Sequence, residues 1–151
     1  MPGTMLILRG ITNTKYWPKY PRGALDEQSA LKYATKWNCT GRVLDVSGET
    51  GDHSPQTQRA LHEFLTDPTI SALYGFSGGG YNVYHILNRL THAQRNQLDV
   101  VVVIGVKTEL LSEDKLNANK FNAHWTLVYH NDPPKPMTHI DGPRALLEGR
   151  Y

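Results

Sequence analysis

The chain predicts an α/β fold, a three-layer sandwich built on a five-stranded parallel sheet, and three observations lead there. Short apolar runs at residues 5–8, 42–46, 70–74, 98–106 and 125–129 alternate with stretches whose apolar residues recur at helical spacing. That alternation calls for parallel strands joined by right-handed crossovers. The run L-D-V-V-V-V-I-G-V at 98–106 is β-branched almost throughout, as suits a strand covered on both faces. Polar loops follow the ends of the runs, on the edge where an open parallel sheet holds its ligands.

Residues 5–8 (M-L-I-L) make the first strand, and Arg9-Gly10-Ile11 leaves it in a small polar loop. Residues 14–23 hold Trp17, Pro18, Tyr20 and Pro21 and cannot be regular helix. Leu25, Leu31, Ala34 and Trp37 set an amphipathic helix over 24–37, which Asn38 and Gly41 end. Residues 42–46 (R-V-L-D-V) read as the second strand and 47–54 as a loop rich in Gly, Asp and Ser. Ser54 reads as an N-cap with Pro55 at the first helical position. Leu61, Phe64 and Leu65 form the buried stripe of that second helix, which ends near Asp67-Pro68.

The third strand is 70–74 and the third helix 81–90, with Val83, Ile86, Leu87 and Leu90 on one face. The strand at 98–106 leads into a polar, partly helical segment at 107–121. A fifth strand at 125–129 (W-T-L-V-Y), a proline-rich loop at 130–142 and a short helix at 143–148 complete the order.

A chain of 151 residues suffices for one domain around a single core. Sixteen Lys and Arg against fourteen Asp and Glu leave a formal charge of +2, with the basic residues scattered. No nucleic-acid partner is expected from that pattern. The seven histidines show no metal-binding spacing, so neither a metal nor a cofactor is expected. The lone Cys39 cannot close an internal disulfide, and residues 1–10 lack a charged stretch followed by a long apolar one. The cytoplasm is the expected compartment. The longest apolar run is too short to cross a bilayer, so no membrane partner is expected.

The stretch Gly75-Phe76-Ser77-Gly78-Gly79 stands between the third strand and the third helix. A turn that tight forces strained backbone angles on the serine, and its neighbours must lack side chains. Beyond the fifth strand lie Asp132 and His139. A serine hydroxyl needs an imidazole to take its proton, and a carboxylate to orient the imidazole and stabilise its charged form.

The glycine-flanked serine and the order of elements resemble the α/β-hydrolase superfamily, in a minimal lidless form like the cutinases and small esterases. The strand order this implies is flavodoxin-like. The resemblance implies a serine esterase with Ser77 as nucleophile, His139 as base and Asp132 as the acid, with Asp141 as the alternative acid. His130 is the alternative base. It also implies an oxyanion hole made by the backbone N–H groups of Gly78 and Ile11, and a small-molecule ester or acyl substrate.

The sequence also admits a non-catalytic α/β domain that binds a ligand or partner through the elbow loop, or a phosphate site at the start of the third helix. Ser47 and Glu49 are candidate pocket residues, although an ordinary polar loop is the commoner reading. Unpaired sheet edges leave room for a homodimer.

Overall fold

The computed structural model describes residues 3–10, 25–106 and 126–131, with Leu25 and the final stretch described through the backbone alone. The chain opens with β1 (Gly3–Leu8), followed by α1 (Leu25–Lys36) and β2 (Cys39–Val43). Next come α2 (Pro55–Thr66), β3 (Ile70–Phe76) and α3 (Gly78–Arg89). A short α4 (His92–Arg95) precedes β4 (Val100–Val106), and β5 is Thr126–Asn131.

All strand pairings are parallel and the order is β2-β1-β3-β4-β5. Four strands, β1 to β4, supply the sheet's described side chains, and the backbone of β5 pairs along β4. Alternation along the strands divides these side chains between two faces. Met5, Ile7, Ala72, Tyr74, Val100 and Val102 pack with Ala30, Tyr33 and Ala34 of α1. Leu6, Leu8, Leu73, Val101 and Val103 pack with Ala60 and Phe64 of α2 and Val83, Ile86 and Leu87 of α3. Helices therefore cover both faces of a parallel sheet, and β4 is buried along its whole length.

Local chemistry explains most boundaries. The Ser54 hydroxyl accepts from Thr57 N–H at 3.3 Å, and Pro55 occupies the first helical turn of α2. Asn38, past the end of α1, takes a left-handed φ of 55°.

Several boundaries depart from the sequence reading: β1 opens at Gly3 rather than 5, β3 runs to Phe76 rather than 74 and β4 opens at Val100 rather than 98. The second strand is Cys39–Val43 rather than 42–46. Among the described strands only β1 pairs with it, so it needs no continuous apolar run. Gly41 lies inside it, where a Cβ would press on Leu31 and Ile7. The third helix starts at Gly78 rather than at residue 81, because its first turn grows directly out of the Ser77 turn. The backbone of His130, assigned from sequence to the loop, lies in β5.

From β1 the chain moves outward to β2, crosses back and continues through β3 on the other side. Strand order thus reverses between β1 and β3, the crevice in which open parallel sheets bind ligands. Leu8 and Phe76 end the two strands there, and Ser77 follows Phe76 directly. Among the described residues no helix is long and apolar enough to cross a membrane.

Candidate functional site

Ser77 has φ 54° and ψ −119°, the angles of the first central residue in a type II′ turn, a region that glycine dominates. Holding a serine there costs about 1–3 kcal/mol. The surroundings keep it in place. Ser77 N–H donates to the Ile104 carbonyl at 2.8 Å, tying the turn to β4, and Tyr81 N–H donates to Ser77 O at 3.2 Å, opening α3.

The glycines two residues either side of Ser77 permit the close approach. A Cβ on Gly75 would collide with the Gly79 carbonyl, and one on Gly79 would collide with the Leu8 and Arg9 backbone. The start of α3 is thus packed directly on the ends of β3 and β1. The strained angles that the glycine spacing predicts for the serine are present at Ser77.

Ser77 is half-buried and starts the helix without spending its hydroxyl as a cap. Among the described residues no histidine or carboxylate is hydrogen-bonded to it. The N–H groups of a helix's first turn have no intrahelical partner and favour negative charge. Gly78, buried and first in α3, contributes such a group beside the hydroxyl.

The end of β1 borders the elbow. Gly10 lies against Phe76 and Ser77, and its carbonyl accepts from Gly48 N–H at 3.1 Å. The loop at 46–54 is thereby brought to the same edge. On the α1 side, the Arg9 guanidinium faces Glu27 at 3.2 Å, with the two side chains 7% and 6% exposed, and reaches Asp45 at 3.1 Å. Two residues before Phe76, the Tyr74 hydroxyl meets the Ser29 hydroxyl at 2.8 Å. Burial pushes the Tyr74 phenol far above its usual range, so it serves as a neutral hydrogen-bonding group.

On the other side stand two residues that the sequence reading did not single out. Gln56 and Asn82 are both fully buried and are hydrogen-bonded to each other at 2.8 Å. The signal was present: Gln56 shares a helical stripe with Ala60 and Phe64, and Asn82 shares one with Gly78 and Ile86. An amide on an apolar stripe must have a polar partner inside.

Ser77 and Gly78 are the predicted site residues that the structure describes at the switch point. Ile11, Asp132, His139 and Asp141 lie outside the described residues, as do the aromatic loop at 14–23 and the helix expected at 143–148. His62 and His92 are exposed on helices and His85 is half-buried. Among the described residues no group of side chains could hold a metal ion. Ser47 is half-buried, while Glu49 is exposed and gives its carbonyl to Asn82.

No protein-family model matches the chain, and no curated protein matches it.

Proposed function

We propose that this protein is a serine hydrolase acting on carboxylic esters. The backbone of Ser77 carries the reading. A serine holds a glycine-type conformation at the C-terminal end of β3, beside the strand-order reversal, with its hydroxyl unspent as a cap. Strain of this kind persists only where surrounding structure imposes it, and it concentrates at functional sites.

In the proposed reaction Ser77 Oγ attacks the ester carbonyl while His139 takes the hydroxyl proton. Asp132, or Asp141 in its place, orients the imidazole. The N–H groups of Gly78 and Ile11 stabilise the oxyanion. The C–O bond to the alcohol then breaks, and His139 returns the proton to the departing oxygen. Water, deprotonated by the same histidine, releases the acid and restores Ser77. The fold is proposed as a minimal α/β-hydrolase, compact enough to work without a lid, and its natural substrate as a small ester.

Comparison of wild type with Ser77→Ala on a p-nitrophenyl ester tests the reading. Turnover should fall by a factor of about a thousand or more. Thermal stability should hold, because alanine keeps a Cβ in the same left-handed turn and the hydroxyl it removes caps nothing. Equal turnover by Ser77→Ala would contradict the reading.

A further inference from the structure

The end of β1 is the surface on which the serine turn is seated. Gly79 packs so closely on the Leu8 and Arg9 backbone that a Cβ there would collide with it. A Cβ on Gly10 would stand 3.6 Å from that of Ser77 and 3.4 Å from the Phe76 ring. Close-packed contacts transmit displacement, so a shift of residues 8–10 reaches Ser77 directly.

Arg9 holds that strand end from two sides. Its guanidinium Nε faces Glu27, in the first turn of α1, at 3.2 Å, with the two side chains 7% and 6% exposed. Its Nη1 donates to Asp45, two residues beyond β2, at 3.1 Å. On the α2 side, Gln56 Nε2 donates to the Arg9 carbonyl at 3.0 Å. One residue therefore joins β1 to α1, to the exit of β2 and to α2, at the contact with Gly79. Replacing a buried ion pair by apolar side chains of similar volume often leaves stability unchanged or raises it, so stability alone gives no reason for a charge here. What a guanidinium adds is direction, because its donors form a rigid planar fork.

We propose that Arg9 is a positioning residue for the Ser77 nucleophile: held between Glu27 and Asp45, it fixes the strand end on which the serine turn is seated. It acts through the backbone of residues 8–10, by setting where Ser77 stands relative to the bound ester. Displacing a reacting group by about 1 Å can cost about 100-fold in rate. The role rests on the hydrolase reading of Ser77.

The test uses the full chain with two variants. The double substitution Arg9→Met with Glu27→Leu removes both buried charges together, and Arg9→Lys keeps the charge but loses the fork. Each is assayed on p-nitrophenyl acetate and unfolded in urea. The double variant should keep its stability while its kcat falls about 10- to 100-fold with KM within about twofold. Fluorophosphonate labelling of Ser77 should slow in parallel with kcat. Gly48 N–H, which donates to the Gly10 carbonyl at 3.1 Å, should exchange faster as the strand end loosens. Arg9→Lys should fall between the double variant and wild type.

A folded double variant with wild-type kcat and labelling rate would overturn the positioning role and leave the hydrolase reading standing. A wild-type chain with neither ester turnover nor a fluorophosphonate adduct on Ser77 would overturn both. Should the double variant fail to fold, the near-isosteric Glu27→Gln decides: a lower kcat at unchanged KM supports the role, and wild-type kcat overturns it.

Discussion

Beneath α1, the polar groups buried at the end of β1 include charges, whereas beneath α2 and α3 they are neutral amides. The Arg9 side chain, 7% exposed, is held between Glu27 and Asp45. Gln56 and Asn82, both fully buried, are joined to each other and to four backbone groups. Taking an ion pair out of water is expensive, and attraction in the interior repays it only when the geometry is good. An amide pair carries a smaller desolvation cost and more directional bonds. The first arrangement makes the joint sensitive to loss of one partner. The second fixes three backbone segments in register next to Ser77.

The comparison predicts a ranking of stability losses in urea unfolding. Glu27→Ala removes one partner of a buried cation and should cost about 3–5 kcal/mol. Gln56→Ala leaves the Arg9 and Val46 carbonyls and Asn82 without their contacts, and should cost about 1–3 kcal/mol. Reversal of that order would show the amide joint, and not the charged one, to be the more demanding. Tyr74→Phe removes the hydroxyl that meets Ser29, whose own hydroxyl still donates to the Asp26 carbonyl at 2.9 Å. Its cost should be about 1 kcal/mol.

The smallest effect lies outside both joints, at Asp67. Its carboxylate accepts from the Thr69 hydroxyl at 2.6 Å, from Thr69 N–H at 2.9 Å and from Arg42 at 2.8 Å. The Thr69 bonds first, and then Arg42, hold the carboxyl below the usual carboxylate range. A carboxyl whose pKa is lower folded than unfolded stabilises the protein above the unfolded value, and that contribution is lost as pH falls through the folded one. Asp67→Asn should therefore lower the thermal midpoint slightly at neutral pH and leave a shallower decline on acidification. An unchanged acid profile would assign the decline to other groups.

The layers of the fold were legible because burial on both faces demands apolar side chains, and 5–8, 70–74 and 98–106 satisfy that demand openly. The second strand was displaced by three residues. As C-T-G-R-V, paired only with β1 and alternating in exposure, it carries no apolar run, and Gly41 reads as a stop signal until Leu31 is seen against it. The short α4 has too few residues to show a helical stripe, and its sequence signal is the reciprocal capping box of Thr91 and Gln94 at its start. In the candidate site the serine turn was legible from its glycines, since close backbone approach leaves few residue choices. Gln56 and Asn82 were not read, because an amide's role depends on partners distant in sequence. Glu49 and Gln56 lie 33 and 26 positions from Asn82.

The central claim is that the strained serine between β3 and α3 is an activated nucleophile. Incubating the intact protein with a fluorophosphonate and reading the adduct by peptide mass tests it most directly. The account predicts one covalent phosphonyl group, on Ser77, absent from Ser77→Ala and prevented by prior unfolding. A folded protein that leaves Ser77 unlabelled would contradict it, and would make the turn a structural or ligand-binding element instead.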